Sequence, residues 1–215
     1  MSIKIILFYL ILASCNNGPK SNSKTSVVEV NSSKNTYDLV SGKYGNISIA
    51  IDGKSVTGAY EYYDRWDKKY KAFTDINVFY FSGEFINDST VTISTAPSFT
   101  EHALKGIIIF GSNKLMIKLD EQPPEYSDVN FTQDSGVEMT LKQAEPWIQV
   151  RFVKAKKARL YNEPDEATIK KGYFVEEDIV KVLQRAPNDF VKIEYSNPAT
   201  PGKDQIYWIK EADLN

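Results

Sequence analysis

The sequence predicts an all-β fold: an eight-stranded antiparallel meander, closing as a small barrel or packing as a sandwich, followed by a second, smaller β domain. Three observations carry this. Apolar and polar residues alternate along most of the chain after residue 37, tight turn signals separate the alternating runs, and no segment holds a helical apolar stripe. Aromatic residues make up 13 % of the chain, with 13 Tyr and 11 Phe, which suits half-buried strands and their cross-strand pairs.

The first domain spans residues 37 to 145. Ile47, Ile49 and Ile51 alternate with Ser48 and Ala50; Asp52-Gly53-Lys54 then turns the chain into Val56, Gly58, Tyr60 and Tyr62, a hairpin signature. Further strands are expected over Val78 to Phe85, Thr90 to Thr95, Leu104 to Phe110, Lys114 to Leu119, Asp128 to Thr132 and Val137 to Leu141. Asn87-Asp88, Gly111-Ser112-Asn113 and Ser135-Gly136 mark turns between them. Closing such a meander into a barrel removes its open edges. A barrel of this size either holds one small ligand or is filled by its own side chains, and the strand pattern leaves both open.

The segment Tyr62 to Asp75, YYDRWDKKYKAFTD, is the longest polar insertion and is expected to be free of strand. It mixes aromatics with charge. Tyr, Trp and Arg dominate the energetics of interfaces, so Tyr63, Arg65, Trp66 and Tyr70 are candidate partner-binding residues. The alternative is that Trp66 and Tyr70 fold back as a lid over one end of the barrel.

The short polar patch Lys142-Gln143-Ala144-Glu145-Pro146 marks a domain boundary, and residues 146 to 215 form the second domain. Its runs are Lys157-Ala158-Arg159-Leu160-Tyr161, then Lys171-Gly172-Tyr173-Phe174-Val175. After these come Glu177-Asp178-Ile179-Val180-Lys181-Val182-Leu183, Phe190 to Tyr195, and Tyr207-Trp208-Ile209 running on to Leu214. In order and texture this resembles a bacterial SH3-like domain. Phe190 stands where that family usually has Trp, Tyr207 replaces the Gly before the closing Trp, and Glu177 replaces a turn glycine. The resemblance implies a five-stranded barrel that in many relatives recognises peptide or cell-wall material. It makes Tyr161, Tyr195 and Trp208 candidate groove residues, with core or edge packing as the alternative. So small a barrel is marginal alone, and docking against the first domain is expected.

Residues 1 to 14 carry Lys4, the apolar run Ile5 to Leu12 and two small residues, a secretory signal pattern too short to span a bilayer, which needs about 20 apolar residues. Leu12-Ala13-Ser14-Cys15 resembles the lipobox of bacterial lipoproteins. That resemblance implies cleavage before Cys15 and diacylglyceryl attachment to its sulfur. Each buried methylene then stabilises attachment by about 0.8 kcal/mol, and two or more chains make the anchor stable. Residues 15 to 36, rich in Asn, Ser and Lys, read as a lipidated flexible tether with an r.m.s. span of roughly 25 Å. The location implied is the bacterial cell envelope, with the chain lipid-anchored to an outer membrane and facing the periplasm.

Several function classes are disfavoured. Lys plus Arg total 26 against 28 for Asp plus Glu, so no basic excess points to nucleic acid. Cys15 is the only cysteine and His102 the only histidine, which leaves no metal-ligand set once Cys15 is lipidated. His102 reads as an ordinary loop residue, and no nucleophile-elbow pattern of Gly-x-Ser-x-Gly appears. Asp64 and Asp67 around Trp66 are weak candidates for carboxylate chemistry and are read as solvated charges. No catalytic residue, metal or cofactor is therefore assigned. The leading expectation is a lipid-anchored, non-enzymatic envelope protein that contacts peptidoglycan, peptide or an envelope protein through its second domain. The alternative is an inhibitor or immunity protein against a lytic enzyme or toxin, and a cell-wall hydrolase is disfavoured.

Overall fold

The structure, a computed structural model, describes residues 39–124 and 129–215. The signal segment, Cys15 and the tether lie outside the described residues, as does Asp128.

Eight antiparallel strands close into a barrel: β1 (Gly42–Tyr44), β2 (Ile47–Asp52), β3 (Ser55–Asp67), β4 (Ala72–Phe85), β5 (Thr90–Thr95), β6 (Lys105–Gly111), β7 (Lys114–Leu119) and β8 (Val137–Ala144). Each pairs with its sequence neighbour, and β1 returns to β8 through Gly42↔Ala144 and Tyr44↔Leu141 with a register shift between Lys43 and Tyr44. The close approach there requires glycine, since a Cβ on Gly42 would lie 2.2 Å from the Gln143 carbonyl oxygen.

Two expectations are corrected. Residues 129–132 form no strand; the closing strand is β1, too short to stand out by alternation. Phe131 works instead as a plug. Its carbonyl accepts from the Leu119 N–H at 3.0 Å, and its ring meets Tyr60 and Phe79 edge-on at 5.2 and 5.3 Å. With Ile47, Ile49, Ile108 and Leu115 these rings form a dry core, so of the two outcomes left open for the lumen the structure has the side-chain-filled one.

Second, Tyr62 to Asp75 is not strand-free. The ladder of β3 and β4 runs on through Tyr63↔Ile76 and Trp66↔Phe73 to Asp67↔Ala72, so the segment is a long two-stranded arm. Ring pairs across it, Trp66–Phe73 at 4.9 Å and Tyr63–Phe73 at 5.4 Å, hold the arm where, among the described residues, no third strand flanks it. Polar residues are tolerated because the arm has no shared dry face.

The second sheet has six antiparallel strands in the order β11-β10-β14-β13-β12-β9, one more than the five implied by the SH3-like resemblance. They are β9 (Gln149–Phe152), β10 (Ala158–Tyr161), β11 (Ile169–Phe174), β12 (Ile179–Arg185), β13 (Phe190–Tyr195) and β14 (Gln205–Lys210), with a 3-10 turn at Glu211–Asp213 and a bridge from Val153 to Leu214. Val180, Val182, Val191, Ile193 and Ile209 build its core. The sheet docks on the outside of the barrel. Ala50 and Ala59, whose small side chains let a neighbour approach, pack with Tyr80, Trp147, Val150 and Ile179, while the Val150 N–H donates to Thr57 Oγ1 at 2.8 Å.

Candidate functional site

Where the barrel and the second sheet meet, the contact is not apolar throughout. Period-2 alternation sends Ile47, Ile49 and Tyr60 into the lumen and turns Ser48, Ala50, Ala59 and Glu61 outward, towards β9 and β12. On β12 the same alternation sets Lys181 between Val180 and Val182 on the face opposite them. Lys181 is 3 % exposed and donates to Glu61 at 3.0 Å, with Ser48 Oγ donating to the same carboxylate oxygen at 3.4 Å. Taking a lysine this far out of water is costly, and the Glu61 carboxylate offsets part of that cost. Glu194 is the cross-strand neighbour of Lys181 on β13.

Beside this pair opens a cleft of about 460 Å³, walled by both sheets. Its charged lining is four carboxylates, Glu61, Glu145, Glu194 and Asp204, against Lys43 and Lys181. Burial pushes the Glu194 carboxyl above the ordinary range, and the charges of Asp204 and Glu145 push it further, while Lys181 and the Trp147 indole hold it back. The Trp147 side chain is fixed in the docking contact, 5 % exposed. Its Nε1–H is buried, forms no hydrogen bond among the described residues, and acts on Glu194 without reaching hydrogen-bond geometry.

The candidates from sequence divide. Tyr63 walls the cleft, and burial, with Glu61, Tyr195 and Asp178 nearby, raises its hydroxyl well above the ordinary tyrosine value. Tyr195 packs on Phe174 at 4.7 Å, and burial with the charges of Asp178 and Glu61 pushes it up to about 12. Arg65, with φ of 53°, pairs with Asp75 at 2.7 Å on the arm. Trp66 and Tyr70 stand 41 % and 70 % exposed and do not lid the barrel; the Asp67 carboxylate accepts from the Lys69 and Tyr70 N–H groups to form the arm's turn.

Tyr161 and Trp208 are buried in a small cluster with Phe190, whose ring meets Tyr161 edge-on at 5.0 Å. The adjoining loop is tied back by Asn188 to the Pro164 carbonyl and by Lys210 to Glu166. Both rings are buried in packing in this arrangement.

Asp64 accepts from the Tyr62 hydroxyl at 3.4 Å and lies opposite Asp75, whose charge Arg65 neutralises. His102 is exposed, with Glu121 at 3.4 Å. Among the described residues no group of three His, Cys, Asp or Glu is placed to hold a metal ion.

Sequence reasoning missed Glu61, Trp147, Lys181 and Glu194. One signal was present: a lone lysine in Ile179-Val180-Lys181-Val182-Leu183, an otherwise apolar run, implies that the second face of that strand is also covered.

No protein-family model matches the chain, and neither a curated protein nor a solved structure resembles it at a significant level.

Proposed function

We propose that this chain is a lipid-anchored, non-enzymatic binding protein of the bacterial cell envelope. Lipid on Cys15 holds it at an outer membrane, the segment to residue 36 tethers it, and the folded body faces the periplasm. The barrel serves as a rigid support, because its interior is occupied by Tyr60, Phe79 and Phe131 and leaves recognition to its outside. The second sheet is the SH3-like module that contacts peptidoglycan, peptide or an envelope protein. The observation that carries the binding reading is the open cleft of about 460 Å³ at the docked sheet, polar and charged beside the apolar contact of Ala50, Ala59, Tyr80, Val150 and Ile179.

Two further features support the SH3-like part. Glu177 sits with φ of 72°, a backbone state suited to the glycine that the resemblance expects there. The neighbouring Asp178 carboxylate accepts from the Val175 N–H at 2.8 Å to close the turn.

Two measurements test the reading. Incubation with purified peptidoglycan and, separately, with envelope extract is expected to retain the chain on at least one, and retention by neither counts against it. Cys15→Ser is expected to release the protein from the membrane fraction; a variant that stays bound removes the lipid anchor from the proposal.

One observation favours the inhibitor or immunity reading. The arm of β3 and β4 carries Trp66, Tyr70 and Ile76 exposed, the last by 54 %, a projecting apolar element of the kind that enters an enzyme cleft. Under that reading, deletion of the chain raises sensitivity to lysozyme or a competitor's toxin, and Trp66→Ala reproduces the effect while retention on peptidoglycan is unchanged.

A further inference from the structure

The far end of the arm formed by β3 and β4 gathers positive charge in a chain whose formal net charge is −2. Lys68, Lys69, Tyr70 and Lys71 make the turn there, and all four are exposed, Tyr70 by 70 %. Trp66, just before the turn, is 41 % exposed. Residues 66–73 hold three lysines against one aspartate. That aspartate, Asp67, fixes the turn by accepting from the Lys69 and Tyr70 N–H groups at 2.7 and 3.1 Å, while Asp75 is taken by Arg65 at 2.7 Å. Behind the turn the Trp66 and Phe73 rings meet at 4.9 Å, and within it the Lys69 ammonium lies 4.8 Å from the Tyr70 ring centroid. The tip is thus a shaped element that shows cations and aromatic rings to solvent together.

That combination on a narrow ribbon selects the partner. An acidic protein would have to match the tip over the roughly 20–30 residues a side of an ordinary interface, and the tip offers far fewer. A nucleic acid needs a basic track crossing several phosphates, which three lysines on one turn do not make. A lipid surface needs no matching shape. Trp and Tyr rings settle at headgroup depth, and each lysine beside an anionic surface strengthens attachment roughly fivefold. We propose that the tip of the arm docks on an anionic phospholipid surface, with Trp66 and Tyr70 among the headgroups and Lys68, Lys69 and Lys71 against their phosphates. With these lysines set aside the chain is more acidic still, so the same surface repels the rest of it and contact through the tip orients the body. The attraction is independent of lipid at Cys15. Where that lipid is present, as proposed above, the tip is a second attachment that sets the orientation a flexible tether leaves free.

Vesicles test it on the full chain carrying Cys15→Ser, so that no acyl chain on the protein contributes. Of the three tryptophans, Trp147 and Trp208 are 5 % and 9 % exposed, which makes Trp66 the one whose emission responds to a surface. At low salt, vesicles of phosphatidylglycerol and phosphatidylcholine in equal parts are expected to shift the emission to the blue, and phosphatidylcholine alone to leave it in place. Trp66→Phe should abolish the shift. The vesicle concentration giving half the shift should rise at least tenfold in the triple variant Lys68→Gln, Lys69→Gln, Lys71→Gln, and equally at about 1 M salt, where the screening length falls to roughly 3 Å. No shift on anionic vesicles, an equal shift on neutral ones, or an unchanged midpoint in the triple variant would each overturn the inference. So would an effect of Trp66→Ala on sensitivity to lysozyme or a toxin with vesicle binding intact, which assigns the arm to a protein partner. Contact through the tip alone is reversible, so release of Cys15→Ser from the membrane fraction is a separate outcome, and the lipid-anchor reading stands where this one falls.

Discussion

Strands β2 and β3 present two surfaces made by the same alternation and of opposite character. Inward, Ile47, Ile49, Val56 and Tyr60 meet other apolar side chains, with Tyr60 stacked on Phe79 at 5.4 Å. Outward, Ser48, Ala50, Ala59 and Glu61 are also covered, by Trp147, Val150 and Lys181 of the second domain. The inner surface supplies stability, because dry apolar burial is favourable at about 25 cal/mol per Å². The outer surface spends some of it, since the desolvation of a buried ion pair is at best repaid by its attraction. The Glu61–Lys181 pair marks where this docking surface passes from apolar contact into the charged lining of the cleft.

The comparison breaks most sharply in the lumen. Phe131→Ala removes the ring that meets Tyr60 and Phe79, and the barrel has no strand there to collapse into the space. A loss of about 3–5 kcal/mol is expected in chemical denaturation. A loss below about 1 kcal/mol would mean that the ring is no plug.

On the outer surface the cost comes from charge rather than volume. Lys181→Met fills similar space but leaves Glu61 without its cation, and Glu61 keeps only 16 % side-chain exposure. About 2–4 kcal/mol is expected, somewhat under the usual figure for a broken buried pair because Glu61 retains some water. Adding Glu61→Leu should restore most of that loss. If the double variant is as unstable as the single one, the two residues are not coupled and the outer surface is ordinary packing.

The seam of the barrel comes next. A methyl on Gly42 would meet the Gln143 carbonyl oxygen at 2.2 Å, so Gly42→Ala must displace β1 from β8. We expect about 1–3 kcal/mol and, in hydrogen exchange, loss of protection confined first to β1 and β8. Uniform loss across both sheets would show that the seam and the second domain unfold together.

The fold class was legible because alternation is local: Ile47 to Ile51, Thr90 to Thr95 and Phe190 to Tyr195 declare their strands residue by residue. β1 was not, since three residues with a glycine carry too little pattern, and Phe131 drew a strand assignment through apolarity that serves plugging instead. The arm was hidden because a two-stranded ribbon with both faces mixed lacks the polar-apolar contrast on which alternation depends. The cleft was nearly illegible. Glu61 and Lys181 lie 120 positions apart, and an outward-facing glutamate looks solvated until another domain is known to cover it. Residue type picked out Tyr63, which walls the cleft, but names aromatics without saying which are packed, as Tyr161, Tyr195 and Trp208 are.

The smallest expected effect concerns the carboxylate that the outer surface leaves uncompensated. Burial raises the pKa of Glu194 in the folded protein above its ordinary 4.5, so between that value and the folded pKa the folded state binds more protons than the unfolded one. Stability contributed by this group is therefore present at low pH and falls as pH rises through that window, the reverse of a carboxylate stabilised by a salt bridge. Glu194→Gln removes the titration. Its denaturation midpoint should lose less than wild type as pH rises above about 4.5, with a gain of a few tenths of a kcal/mol at neutral pH, since solvent still screens a half-buried group. A variant that is destabilised at neutral pH would show instead that Glu194 is held by an attraction to Lys181 stronger than its repulsion from Glu145 and Asp204. In that case the outer surface is charge-balanced, and the contrast with the lumen is one of polarity alone.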